Sequence, residues 1–101
     1  MTASKTIWWV YMIRTVDNCL YSGVSTDVAR RFREHRAGGV RAARYLKTHR
    51  PSALVFSQPV GSRSLAQKVE FHMKRLPRCR KDAIIRRKRL VFDSQSGRIA
   101  V

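Results

Sequence analysis

The first part of the chain contains two short runs of β-branched and aromatic residues separated by a polar segment. The first run covers residues 7–14 (IWWVYMIR), and the second covers residues 20–24. Runs of this length and composition are typical of β-strands. Residues 15–18, between them, are mainly polar and suit a turn. The pattern therefore predicts a β-hairpin at this position.

Helical spacing replaces the strand pattern directly after the hairpin. In the segment 28–35 (VARRFREH), apolar residues lie four positions apart and would share one face of a helix. Thr26 or Asp27 is placed to cap its amino-terminal end. The glycine pair at 38–39 is placed to end it. A basic connector with some helical character, residues 41–50, is expected to follow.

The second half of the chain predicts one more strand and two more helices. Residues 53–60 are strand-like, and a turn then leads to a helix in which Ser64 and Gln67 have the spacing of a capping box. This helix should end near Leu76, before a proline. A short helix is expected from about residue 80 to residue 89. The order β-β-α-β-α-α predicts an α+β protein in which helices cover a small sheet.

A length of 101 residues leaves room for one hydrophobic core. We therefore expect one domain, with residues 1–6 as an amino-terminal extension. Residues 89–101 contain a weak strand-like patch, RLVF, followed by polar positions, and are expected to form a carboxy-terminal tail.

Charge is the extreme feature of the composition. There are 22 Lys and Arg against 6 Asp and Glu, which gives a net charge of +16. A positive field of this size attracts polyanions, so nucleic acid is the first expected partner. An anionic membrane surface is the alternative, but it would call for a basic amphipathic helix that is not evident. Since no apolar run approaches ~18 residues and no signal peptide is recognised, we expect a cytoplasmic protein without membrane contact.

The two cysteines, Cys19 and Cys79, are far apart in the sequence. Neither belongs to a CxxC motif or a histidine-rich cluster, so the usual spacing of zinc ligands is missing. We predict that both are free thiols.

Among the six acidic residues, Glu70 has the most distinctive position. Its predicted helix has an apolar stripe that includes Val69 and Met73, and Glu70 lies on the flank of that stripe, toward the edge of the sheet. A carboxylate placed there needs a cation. Helical phase alone favours an ion pair with a nearby arginine over a catalytic role.

Tyr11 and Tyr21 lie on the two strands of the predicted hairpin. Aromatic residues often pack across a hairpin without any chemical role, so this pair alone indicates nothing about function.

Taken together, these residues and their order resemble the GIY-YIG nuclease superfamily. Val10-Tyr11-Met12 occupies the first tripeptide of the family name, and Tyr21-Ser22-Gly23 occupies the second. The family's helical arginine and histidine correspond to Arg31 and His35, and its glutamate corresponds to Glu70. The resemblance covers about residues 7–88, which we therefore predict to be a GIY-YIG-like domain with a small three-stranded antiparallel sheet.

Two departures from the family pattern stand out. The first tripeptide lacks the glycine and isoleucine, and Ser22 replaces the middle isoleucine of the second. The chain is most similar in layout to small stand-alone bacterial members of the family, most of which are uncharacterised.

The resemblance implies a metal-dependent endonuclease that hydrolyses phosphodiester bonds, with DNA as the favoured substrate. Glu70 would hold a single Mg²⁺ or Mn²⁺. Arg31 would contact the phosphoryl oxygens as charge develops. Tyr11 would act as general base, although its reference pKa of ~10 requires help from cations. Tyr21 would orient the water or phosphate, and His35 would hydrogen-bond the substrate or Tyr11.

Nucleic acid would be held by a glycine and a set of basic residues around the first two helices and the connector: Gly23, Arg30, Arg33, Arg36, Arg41, Arg44 and Lys74. The alternative function is a non-catalytic nucleic-acid-binding module with the same fold, in which Glu70 is only a structural partner. The choice of DNA or RNA, the sequence or structure specificity and the oligomeric state stay open at this level.

Overall fold

The central strand of the sheet, β1, forms antiparallel pairs with a strand on each side, in the order β2-β1-β3. The computed structural model describes residues 6–100. The strands are β1 (Trp8–Thr15), β2 (Leu20–Ser25) and β3 (Pro51–Gly61). The helices are α1 (Val28–Ala37), α2 (Arg44–Thr48), α3 (Arg63–Lys74) and α4 (Arg78–Arg87). The predicted α+β fold is confirmed, and α2 forms within the connector that was expected to have helical character.

Side chains of β1 alternate between two hydrophobic clusters because successive strand residues point to opposite faces. Val10 and Met12 pack with Val69 and Met73 of α3. Tyr11, together with Ile13, packs on the other face, against Leu46 of α2 and Phe32 of α1. The central strand is therefore covered on both faces, and Tyr11 lies on the face that carries α1 and α2.

The predicted capping box of the second long helix is wrong. The side chain of Ser62, and not that of Ser64, accepts a hydrogen bond from the backbone N–H of Leu65, at 3.1 Å. The position three residues after Ser62 is Leu65, which has no side-chain acceptor to complete a capping box. α3 therefore begins one residue earlier than Ser64, and it ends at Lys74 rather than near Leu76.

The last helix also differs from the prediction at both ends, whereas the cap of the first helix is one of the two predicted residues. The last helix begins at Arg78, directly after Pro77, and ends at Arg87. Proline suits the residue before the first helical turn because it has no N–H to satisfy. At the first helix, the choice between two caps is settled: the side chain of Asp27 accepts a hydrogen bond from the N–H of Arg30.

The segment after α4 packs against the rest of the protein. Leu90 is buried, and the side-chain amide of Gln58 bonds to both its N–H and its carbonyl, each at 2.8 Å. Phe92 forms a β-bridge with Ile99. A Cβ placed on Gly97 would lie 2.9 Å from the backbone nitrogen of Val69, so only glycine fits against α3 there. Among residues 6–100, no helix combines the length and apolar character needed to cross a bilayer.

Candidate active site

The phenol ring of Tyr11 lies over Gly23 of the neighbouring strand. The two residues are directly opposite in the β1–β2 register, and Tyr11 is only 1% exposed. A Cβ placed on Gly23 would lie 2.5 Å from Cζ of Tyr11 and would overlap its hydroxyl. Gly23 was predicted to be among the residues that hold nucleic acid. The space is instead filled by the tyrosine ring, so this glycine determines where the Tyr11 hydroxyl lies.

His35, on α1, contacts the Tyr11 hydroxyl through Nε2, at 3.0 Å. The same imidazole accepts a hydrogen bond at Nδ1 from the backbone N–H of Ala43, at 3.1 Å. Since Nδ1 is an acceptor, the proton of the neutral ring is on Nε2. His35 therefore donates to the oxygen of Tyr11.

Burial keeps His35 neutral. Burial and, secondly, the charge of Arg31 lower the pKa of His35 to about 4, and the side chain is fully enclosed. At neutral pH the imidazole is therefore a fixed donor to Tyr11 and does not carry charge of its own.

Tyr21 is diagonal to Tyr11 rather than opposite it. Its partner across the hairpin is Ile13, and the two tyrosine rings lie 6.5 Å apart between centroids. Burial raises the pKa of Tyr11, the neighbouring Tyr21 raises it further, and Arg31 lowers it. Burial also raises the pKa of Tyr21, against the charge of Lys74. Both phenols are thus protonated at neutral pH in this state.

Arg31 is held near Tyr11 by contacts on its own side of the sheet. Its guanidinium forms an ion pair with Glu34 at 3.0 Å and donates to the carbonyl of Arg41. Glu34 also pairs with the Arg41 side chain at 3.7 Å. The hydrogen bond from Arg31 holds the pKa of Glu34 below its usual range. Glu34 therefore positions Arg31, a role that its place on a polar helix face did not suggest.

Glu70 approaches the same tyrosines from α3. Its negative charge is one of the influences that raise the pKa of both Tyr11 and Tyr21. Its carboxylate pairs with Lys74, one turn later on α3, at 3.4 Å, and its side chain is 21% exposed. A partly exposed carboxylate with one weak cation contact suits a hard divalent metal, which commonly takes one or two carboxylates and keeps several waters.

The predicted nucleic-acid contacts divide into two groups. Six basic residues have exposed side chains that a polyanion could reach: Arg30, Arg33, Arg36, Arg41, Arg44 and Lys74. Gly23 is buried beneath Tyr11 and is not open to a ligand. Arg41 and Lys74 also pair with Glu34 and Glu70, respectively.

Sequence reasoning missed a group of three side chains at the hairpin turn. Asp17, Cys19 and His49 each offer one potential metal-binding atom, and these atoms lie within 4.8 Å of one another. Both cysteines are free, as predicted, and the fold gives Cys19 two ligand-type neighbours that no sequence spacing indicates. The signal was hidden because His49 lies 30 positions away and reaches the turn only through the fold.

One cavity lies apart from the tyrosine site. Its volume is about 460 Å³, and it lies between α4 and the following segment, with Arg80, Arg87 and Ile99 among its walls. The five predicted catalytic residues lie outside it.

Comparison with known proteins agrees with this geometry. Residues 7–81 match the model of the GIY-YIG catalytic domain. A UPF0213 protein of Enterobacter sp. (strain 638) is 45% identical over 78 residues, which cover 77% of this chain and 74% of the relative. The UPF0213 protein YhbQ of Escherichia coli (strain K12) is 44% identical over 80 residues, which cover 79% and 78%. No solved structure matches the chain significantly. The chain therefore belongs to the GIY-YIG family and has close relatives among the small UPF0213 proteins of bacteria.

Proposed function

We propose that the protein is a metal-dependent endonuclease that hydrolyses phosphodiester bonds in nucleic acid, with DNA as the favoured substrate. The observation that supports this most directly is the hydrogen-bonded chain from Ala43 through His35 to Tyr11. These contacts hold the Nε2–H of His35 against the hydroxyl oxygen of Tyr11, which would act as the general base.

In this proposal the Tyr11 hydroxyl first loses its proton to solvent, and the phenolate oxygen then takes a proton from the attacking water. The phenolate that forms accepts the Nε2–H of His35, and the positive charge of Arg31 favours it as well. Because burial raises the Tyr11 pKa, the phenolate forms readily only when further positive charge is present, and a metal held by Glu70 would supply it. This requirement links proton removal to the assembled complex.

The other residues act on the phosphate. Arg31 places permanent charge and planar donors toward the non-bridging oxygens, while Glu34 holds its guanidinium in position. Glu70 would hold Mg²⁺ or Mn²⁺, which when bound supplies the positive charge that stabilises the leaving 3′ oxygen. Tyr21, beside Tyr11, would orient the water or the phosphate.

Substrate binding would rest on the exposed basic side chains of α1 and the connector. Phosphate contacts of this kind are independent of base sequence and release counterions. Binding should therefore weaken steeply as salt concentration rises, whichever nucleic acid is bound.

Cleavage by purified protein tests the proposal. Labelled DNA and RNA, single- and double-stranded, would be incubated with Mg²⁺ or Mn²⁺, and cleavage should appear for at least one of them and stop on addition of EDTA. Glu70→Ala should remove it. Wild-type cleavage that persists in EDTA, or full activity in Glu70→Ala, would contradict the assignment.

The non-catalytic alternative predicts a different outcome. A binding module would retain nucleic acid across the same panel and release no cleavage product with either metal. In that case Glu70 would serve only as the structural partner of Lys74.

A further inference from the structure

The hairpin turn and the end of α2 bring three chemically different donors together. Asp17 and Cys19 come from the β1–β2 turn, and His49 comes from the residue that ends α2. Oδ2 of Asp17 lies 2.6 Å from Nδ1 of His49. Both side chains are partly exposed, so a small cation can reach them from solvent.

The donor set indicates which cation would bind. A thiolate and an imidazole suit Zn²⁺ and related transition metals, whereas Mg²⁺ prefers oxygen alone. One thiolate and one carboxylate would balance the double charge of Zn²⁺. From this geometry we propose that Asp17, Cys19 and His49 form a binding site for Zn²⁺ or a similar transition metal, separate from the Mg²⁺ site assigned to Glu70.

Asp17 and His49 need only a small rearrangement to reach coordination geometry, and Sγ of Cys19 lies within 4.8 Å of both donor atoms. With Zn–N and Zn–O bonds of about 2.1 Å, two tetrahedral ligands lie about 3.4 Å apart. The Asp17–His49 contact must therefore open by roughly 0.8 Å, which rotation of two partly exposed side chains allows. The Cys19 thiol releases its proton to solvent as the Zn–S bond forms. The ring proton of His49, which faces the Asp17 carboxylate at Nδ1, must move to Nε2 so that Nδ1 can bind the metal. Water completes the fourth position.

Neighbouring side chains already support the donors as outer-shell groups do at metal sites. The hydroxyl of Thr15, which is buried, donates to Oδ1 of Asp17 and accepts the backbone N–H of Cys19 at 2.9 Å. The ring of Tyr45 stacks on His49, with 4.2 Å between centroids. Asp17 is thus oriented from one side and His49 from another.

A metal here would join two parts of the chain that are about 30 residues apart. α2 would be fastened to the hairpin, and α2 follows directly after Ala43, whose N–H sets the tautomer of His35. Metal binding at this site would therefore stabilise the connector. Metal binding by Asp17, Cys19 and His49 does not depend on the proposed nuclease activity.

Cobalt substitution tests the site without any activity assay. Full-length protein, kept reduced with a phosphine, would be titrated with Co²⁺ and followed by absorption spectroscopy. We expect one Co²⁺ per chain with a thiolate-to-cobalt charge-transfer band in the near ultraviolet, which Zn²⁺ should displace. The band should persist in Glu70→Gln, because that residue belongs to the other proposed metal site.

Matched variants identify the ligands. Cys19→Ser should lose the charge-transfer band, while Cys79→Ser, which removes the exposed cysteine of α4, should keep it. His49→Ala should weaken Co²⁺ binding by roughly tenfold or more, whereas His72→Ala on α3 should not. Zn²⁺ should raise the Tm of the wild type and of Cys79→Ser but not that of Cys19→Ser. The same thermal unfolding curves show whether each variant folds. Absence of a thiolate band in the wild type, or its survival in Cys19→Ser, would overturn the proposal.

Discussion

At the scale of single residues, the tautomer of His35 is the feature with the most direct chemical consequence. One ring nitrogen accepts the N–H of Ala43, and the other contacts the hydroxyl of Tyr11. Replacing His35 with Gln or with Asn tests the two contacts separately. The amide nitrogen of Gln can reach the Nε2 position, while the shorter Asn can only replace the acceptor near Ala43.

His35→Gln should therefore keep more cleavage activity than His35→Asn, because it preserves a donor to the Tyr11 phenolate. The ratio of the two single-turnover cleavage rates measures this effect. Equal rates, or a faster Asn variant, would show that the donor to Tyr11 is not important.

The depressed pKa of His35 predicts how stability depends on pH. An unfolded histidine titrates near ~6.5, whereas the folded residue titrates at about 4, so the unfolded state binds more protons between these values. The contribution to stability is complete above pH ~6.5 and is lost as pH falls toward about 4. Urea unfolding across this range should show a fall in the free energy of unfolding that is smaller in His35→Gln. His72→Ala, a control on a different helix, should retain most of the fall.

Gly23 offers a test of how the Tyr11 ring is placed. In Gly23→Ala the new methyl group would overlap the phenol, so the ring must move and its hydroxyl should lose its contact with His35. We expect a large loss of cleavage activity. Gly39→Ala is the matched control, since its added methyl group meets no other atom within 4 Å. Unchanged activity in Gly23→Ala would contradict the packing argument.

The five predicted catalytic residues came from the family resemblance, whereas their partners could not be predicted. Helical phase describes only a residue's own helix, so it gives no sign of the Glu34 contact with Arg41. That contact requires the connector to fold back across α1. The Ala43 N–H was equally hidden, since a backbone donor has no sequence signature.

At the scale of elements, the amino-terminal end of α3 shows where local sequence rules fail. Ser62 and Ser64 are both plausible caps by composition, and the spacing of Ser64 and Gln67 favoured the wrong one. The turn after β3 settles the choice because it places Ser62 in an extended conformation, with ψ of 158°, as a cap requires.

Ser62→Ala should lower the free energy of unfolding by about 1 kcal/mol, because it leaves the Leu65 N–H without its side-chain acceptor. Ser64→Ala lies inside the helix and should change stability by less than about 0.5 kcal/mol. Chemical denaturation of both variants measures the difference. A larger loss of stability in Ser64→Ala than in Ser62→Ala would indicate that Ser64 is the cap.

Strands and long helices were predictable because hydrophobic periodicity is a local property. The short helix α2 was less visible, since a five-residue helix owes its stability to tertiary contacts. Leu46 provides them by packing, almost fully buried, beside Tyr11 and Ile13. Contacts of this kind depend on the finished sheet and not on nearby sequence.

At the scale of the whole molecule, the proposed catalytic groups come from helices on the two faces of the sheet. Tyr11, with His35 and Arg31, belongs to the layer of α1 and α2, while Glu70 comes from α3, which packs Val69 and Met73 against the other face of β1. The net charge of +16 predicts affinity for polyanions but contains no information about cleavage. The central claim is therefore the role of Glu70, whose removal should separate cutting from binding.

The most direct measurement compares Glu70→Gln with Asp82→Asn on one nucleic-acid substrate that the wild type cuts. Each of these carboxylates pairs with a cation four positions away, Glu70 with Lys74 and Asp82 with Arg78. Loss of either ion pair should lower the free energy of unfolding by about 0.5 kcal/mol or less. We expect Glu70→Gln to reduce the single-turnover cleavage rate by about a hundredfold or more while the Kd for substrate stays close to that of the wild type. Asp82→Asn should keep both values. A cleavage rate in Glu70→Gln equal to that of the wild type, or an equal fall in the cleavage rate of both variants, would contradict the account.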